Sequence, residues 1–258
     1  MGNLKVMSFN LRINTEKDGV NRFFSRTHRV LEAIRAEEPD LIGFQEANDS
    51  MRAFLRKELG DYTVLGCGRH EQYNGEGIPV AYKTDKFELI GFETKWLSDT
   101  PNLPGSRFEE SDQSKYPRIY HCVTLRCLEN NQVIAFVNTH TDHTGKEAQV
   151  LEAKQLVSVM RSVRANGVIL TGDMNAQPDS ETVAVLMGDA ELGLKDATAG
   201  IAGTFHNFGR RLPMLKIDYV FSTLESLECY CVEDTPVDGV YISDHQPTLA
   251  ILRMEDEK

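Results

Sequence analysis

Six stretches of the sequence place Asn, Glu, His or Asp at the edge of a short apolar run. They are Met7-Ser8-Phe9-Asn10, Ile42-Gly43-Phe44-Gln45-Glu46, Val137-Asn138-Thr139-His140-Thr141-Asp142-His143, Ile169-Leu170-Thr171-Gly172-Asp173-Met174-Asn175, Ile217-Asp218-Tyr219 and Ser243-Asp244-His245. Any one of these polar residues alone reads as a turn former or a cap. Taken together they point to a shared mouth. Carboxylates gathered in one place repel each other unless something positive sits between them, so the set implies a hard cation. Its donors are rich in oxygen and include no thiolate, which favours Mg²⁺ or Mn²⁺ over zinc.

These residues need elements to hold them. Runs rich in Val, Ile, Phe and Leu predict strands at Leu4–Phe9, Asp40–Gln45, Ile78–Tyr82, Phe87–Phe92, Ile119–Leu125, Val133–Thr139, Val168–Leu170, Ile217–Phe221 and Thr248–Leu252. Helical spacing predicts Thr27–Glu38, closed before Pro39, and Lys146–Arg164 with its broad apolar stripe. A shorter helix follows Asp179 and Ser180, either of which can cap it. Many strands with helices interspersed irregularly predict an α/β fold of two packed, largely antiparallel or mixed β-sheets flanked by helices. No repeat or linker divides residues 1–258, which read as a single domain. Ser98–Pro117 is polar, carries Pro101, Pro104 and Gly105, and is either a functional loop or a tolerated surface insertion.

Composition narrows the partners. With 28 Lys+Arg against 39 Asp+Glu the net charge is −11, too negative for a protein whose affinity comes from neutralising phosphates along duplex DNA. A compact phosphoester or a short single strand is the better fit. Arg12, Arg69, Arg118, Arg210 and Arg211 can still form a local basic rim, which net charge does not reveal. No apolar run reaches the roughly 18 residues of a membrane helix, and the first dozen residues lack a secretion signal. Val6 stands where myristoylation needs Ser or Thr. These features predict a soluble, cytoplasmic chain without membrane insertion. The cysteines are odd in number, five, and contain no C-x-x-C pair, as suits reduced thiols.

In order, S-F-N (Ser8–Asn10), Q-E (Gln45-Glu46), N-T-H (Asn138–His140), G-D-x-N (Gly172–Asn175), I-D-Y (Ile217–Tyr219) and S-D-H (Ser243–His245) resemble the motifs of the endonuclease/exonuclease/phosphatase superfamily of metal-dependent phosphoesterases. The resemblance spans Met7 to Leu252 and implies a four-layer sandwich. Phe92–Ser98, Pro104–Ser106 and Pro117–Ile119 are most similar to an uncharacterised microbial subgroup. Deadenylases, neutral sphingomyelinases, inositol polyphosphate phosphatases and abasic-site nucleases are more distant, so no substrate is inherited.

The resemblance implies that Glu46 is the principal metal ligand, with Asn10 and Asp244 beside it. Asp173 would orient or deprotonate the attacking water and Asn175 would hydrogen-bond the scissile phosphate. His245 would face the phosphate with Asp218 orienting it, and His140 would be a second donor. Arg118 would grip a substrate phosphate, with Asp142, His143 and Glu76 as rim or lining residues. The expected reaction is phosphoester hydrolysis by in-line attack of water, without a covalent enzyme intermediate. Two rival readings exist. One is a catalytically silent binding module on the same fold. The other is a dinuclear zinc hydrolase of metallo-β-lactamase type, suggested by His140-Thr141-Asp142-His143-Thr144-Gly145, whose leading histidine would fall at Asn138.

Overall fold

The computed structural model describes residues 2–254. Along the chain lie β1 (Asn3–Asn10), α1 (Phe23–Glu37), β2 (Leu41–Gln45), α2 (Asp49–Glu58), β3 (Tyr62–Leu65), β4 (Val80–Lys83), β5 (Phe87–Trp96) and β6 (Ile119–Cys127). Then follow β7 (Val133–His140), α3 (Lys146–Ser162), β8 (Gly167–Asp173), α4 (Glu181–Met187), β9 (Lys195–Asp196), β10 (Asp218–Ser222), β11 (Ser226–Cys231) and β12 (Thr248–Arg253). One six-stranded sheet has the order β11-β12-β1-β2-β4-β3 and the other β5-β6-β7-β8-β10-β9. Both are mixed: β1 runs parallel to β2 and β7 to β8, whereas the edges are antiparallel.

Alternation along each strand decides what it faces. In β1, Leu4 and Val6 lie in the core between the sheets, while Met7 and Phe9 pack under α1 and α2. In β8, Ile169 joins the same inter-sheet core, while Val168 and Leu170 pack under α3 and α4. The layers are therefore helix, sheet, sheet, helix, as the sequence predicts.

Toward one end of the sandwich the inter-sheet positions turn polar: Val6 gives way to Ser8 and Asn10, Leu41 to Gly43 and Gln45, Phe136 to Asn138 and His140, and Ile169 to Thr171 and Asp173. The antiparallel register places Asp218, the first residue of β10, opposite Asp173. Thr248 of β12 lies opposite Ser8, so Asp244 and His245 arrive at that end too.

Below this end, side chains of one sheet bond to the other. Asn138 Oδ1 accepts from Gln45 Nε2 at 2.8 Å and Thr171 Oγ1 at 3.0 Å, and its Nδ2 donates to the carbonyls of Phe44 and Ile78 at 2.8 and 2.9 Å. The close approach needs Gly43, where a Cβ would lie 2.0 Å from Thr171 Oγ1 and 2.5 Å from Asn138 Oδ1.

Several elements differ from expectation. The first helix begins at Phe23 rather than Thr27, and β5 continues to Trp96. Helix α2 was not predicted because its apolar face is narrow, with Met51 and Leu55 buried between Arg52, Arg56, Lys57 and Glu58; Asn48 Oδ1 caps it by accepting from the Met51 N–H at 3.1 Å. Strand β11 is an edge with no buried residue and gives little apolar signal. Ser98–Pro117 is tied down at Asp112, whose carboxylate accepts the N–H groups of Lys146, Glu147 and Ala148 at the start of α3. Among the described residues no helix is long and apolar enough to cross a membrane.

Gly43→Ala is expected to cost about 2 kcal/mol, within the range for overpacking a filled core, and to lower Tm by about 6 °C. Gly60→Ala, where an added Cβ meets nothing within 4 Å, serves as the neutral control in the same thermal denaturation series.

Candidate active site

The polar end of the sandwich opens into a cleft of about 640 Å³. Chain corners at its floor are sharp: Arg12, Glu46 and Asn175, each just beyond a strand, hold φ of 52°, 60° and 46°. Asn tolerates this left-handed region, but Arg and Glu adopt it at a cost that the surrounding structure must offset.

Asp173 Oδ2 is the hub. Asn10 Nδ2 donates to it at 3.0 Å and to Glu46 Oε1 at 3.2 Å, while His140 Nε2 and His245 Nε2 stand 3.6 and 3.8 Å away. Asp173 Oδ1 accepts the Asn175 N–H at 2.9 Å, and Asn175 commits one amide hydrogen to the Thr141 carbonyl. Asp218 Oδ2 lies 2.8 Å from His245 Nδ1 and also accepts from Thr204 Oγ1. Phe205 tilts against the His245 ring at 4.7 Å. Arg12 approaches Glu46 at 3.9 Å and Asp244 at 3.8 Å, and its own firm partner is Asp18 at 2.9 Å.

A second group forms the opposite wall. Arg69 pairs with Glu76 through both guanidinium nitrogens, at 2.6 and 3.0 Å, and lies over the Tyr116 ring. Arg118 Nη2 meets His143 Nδ1 at 2.9 Å. His140 joins the two groups, because its Nδ1 is 3.7 Å from Glu76 while its Nε2 faces Asp173.

Of the residues singled out in the sequence, Asn10, Glu46, His140, Asp173, Asn175, Asp218, Asp244 and His245 converge, and Glu76, Arg118 and His143 line the same cleft. Asp142 is a correction. It is fully buried behind the wall, where its carboxylate accepts from Ser114, Thr144 and Gly145 and stands 3.5 Å from Arg118 Nε. Those donors outweigh its burial and hold its carboxyl well below the usual range. Arg12 and Arg69 reach the cleft, but Arg210 and Arg211 are not among its lining residues. Tyr116, Phe205 and Asn207 line it without having been singled out. Also missed was Arg26, fully buried, which donates to the carbonyls of Asn21, Leu11, Arg12 and Ile242 and so ties the corner after β1 to the segment before Asp244. Nothing in the sequence around Arg26, which precedes the predicted helix, marks such a role.

The profile of the Endonuclease/Exonuclease/phosphatase family matches residues 7–245. The chain belongs to this family. A structure of a family protein from Bacteroides vulgatus superposes with a TM-score of 0.91 at 28% identity, covering 99% of this chain and 100% of that one. A mannosyl-6-phosphatase from Bacteroides thetaiotaomicron superposes with a TM-score of 0.84 at 25% identity, covering 97% and 100%. An uncharacterised protein of Acanthamoeba polyphaga mimivirus is 24% identical over 271 residues, 96% of this chain and 99% of its own length. Members of the family are phosphoesterases.

Electrostatics separate the two histidines beside Asp173. For His245, burial alone would depress the pKa, but Asp218 above all, with Asp244 and Asp173, overrides it and holds the imidazole up at about 10. His140, equally buried but facing Arg118 and Arg69, is pushed well below its ordinary value and is neutral. Burial and the nearby Asp218 raise Asp173 to about 7, and burial with Glu46 raises Asp244.

This crowding fits a divalent cation. Asp173, Asp218 and His245 offer ligand atoms within 4.8 Å of one another. That trio is a poor cage, however, since a cationic imidazole has no lone pair to give and Asp218 is already bonded to it. Glu46 and Asp244 offer the hard carboxylate oxygens that a divalent cation takes, whereas Asn10 turns its Nδ2 toward Glu46 and its Oδ1 toward the Arg12 N–H.

With its folded value near 10 against an ordinary 6.5, the His245–Asp218 pair contributes stability that is fully present below about 6.5 and lost as pH rises through about 10. Proton NMR of His245 is expected to show this high titration, and Asp218→Asn is expected to bring it down toward the ordinary range. An unchanged titration in the variant would break the assignment.

Proposed function

We propose that the chain is a single-domain phosphoesterase that hydrolyses a compact phosphoester by in-line attack of water, with no covalent intermediate. The observation that carries this reading is the convergence on Asp173 Oδ2 of an amide from one sheet, a neutral imidazole from the other and a cationic imidazole from the segment before β12. Glu46, with Asn10 and Asp244 beside it, would hold a divalent cation, Mg²⁺ or Mn²⁺, which would supply positive charge against a phosphoryl oxygen.

The chain's own groups do the rest. Asp173, its orientation locked by Asn10 and the Asn175 N–H, holds the attacking water and accepts its proton. The His245 imidazolium, kept charged by Asp218, donates toward the oxygens on which charge develops. Neutral His140 donates from one ring nitrogen alone, and Asn175 supplies its second amide hydrogen to the phosphate. The net charge of −11 supports a small or single-stranded substrate over a long duplex.

Asp173→Ala and His245→Ala are each expected to lower kcat by at least about 10²-fold on a generic phosphoester with Mg²⁺ or Mn²⁺. Rates close to the unaltered chain in both variants would remove the mechanism. Cation binding has its own readout. At about 100 times its Kd the ion is expected to add about 2.7 kcal/mol of stability, and Glu46→Gln to abolish that gain. The gain should grow as pH rises above the ordinary carboxylate range, because the Asp244 carboxyl, raised by burial and by Glu46, must lose its proton to act as a ligand.

A further inference from the structure

Every charge on the wall opposite Asp173 is matched. Arg69 is gripped at both ends by Glu76, and Arg118 stands 3.5 Å from the Asp142 carboxylate. Lys115 also reaches over the Tyr116 ring, but it is exposed and lies outside the cleft lining. A second phosphate at this wall would have to displace a buried carboxylate from its guanidinium, an expensive exchange.

The wall nonetheless brings several donors and acceptors to the cleft lining, with Arg69, Glu76, Tyr116, Arg118 and His140 all contributing to it. A guanidinium beside a carboxylate presents donor and acceptor side by side, which suits hydroxyls, since each hydroxyl both donates and accepts. Tyr116, 37% exposed, adds a flat face. The distance is short, because the His140 ring alone spans from Asp173 to Glu76.

Resting on the phosphoesterase reading, we propose that Tyr116, the Arg69–Glu76 pair and Arg118 form a specificity subsite for an uncharged, hydroxyl-rich leaving group. The preferred substrate is then a phosphomonoester of a sugar or nucleoside, and polyanionic chains are disfavoured.

The test is kcat/KM with Mg²⁺ and with Mn²⁺ for five esters: a hexose 6-phosphate, a nucleoside 5′-monophosphate, a hexose 1,6-bisphosphate, ethyl phosphate and a short oligonucleotide. The hexose or nucleoside monophosphate should exceed the other three at least ~10-fold, a difference of about 1.4 kcal/mol, and the better of the two identifies the ring. Tyr116→Ala should raise KM for that ester at least ~10-fold more than for ethyl phosphate. Glu76→Gln, which leaves Arg69 unbalanced, should shift the ratio of bisphosphate to monophosphate at least ~10-fold toward the bisphosphate. Preference for the oligonucleotide or bisphosphate in the unaltered chain, or an unmoved ratio in Glu76→Gln, overturns the subsite while leaving the phosphoesterase reading intact. Failure to cleave any of the five with either metal overturns both.

Discussion

Asn138 bridges the two sheets, and its amide is fully used: two acceptor bonds from Gln45 and Thr171, two donor bonds to backbone carbonyls. Buried polar groups are tolerated when every partner is present, and such a network then specifies one arrangement where an apolar contact would allow several. That uniqueness matters because the cleft draws on both sheets. Asn10 and Glu46 come from β1 and the end of β2, whereas His140 and Asp173 come from β7 and β8. The hydrogen bond from Asn10 to Asp173 crosses between them directly. A slide of one sheet by a single ångström would break it.

Above that layer the fold sustains charges that burial opposes. Asp173 and Asp244 are nearly inaccessible and both have raised pKa values, with burial the larger cause. Protein interiors accept such groups only when paired or serving a purpose. Two imidazoles within 4 Å of one carboxylate oxygen hold opposite charge states because their other neighbours differ, carboxylates for His245 and guanidinium groups for His140. Residues of one type thereby acquire distinct chemical tasks from their surroundings.

Much of this arrangement is legible in the sequence. Strands that are apolar along their length and polar at one end announce both the sheets and the mouth, because alternation carries the inter-sheet parity straight out to Asn10, His140 and Asp173. What stays hidden depends on contacts distant in sequence. Arg26 falls just before the predicted helix and shows no mark of its role until its four carbonyl partners are assembled around it. Asp142 looks like a rim residue from its place beside His143, yet the turn of the chain buries it beneath Ser114 and Arg118. Tyr116 lies in a stretch without periodicity, held near the cleft by contacts distant in sequence, Asp112 with α3 and Ser114 with Asp142. Short or exposed elements such as α2 and β11 carry too few apolar positions to be recognised.

The placement of β12 bears on folding. It is formed by the last described strand, yet it lies inside its sheet between β1 and β11, and the segment leading into it carries Asp244 and His245. Until that strand inserts, β1 keeps an unpaired edge and Asp218 lacks the imidazole it orients. Closing of this sheet and assembly of the cleft are thus one event, because the same segment that pairs with β1 brings His245 beside Asp173 and Asp218.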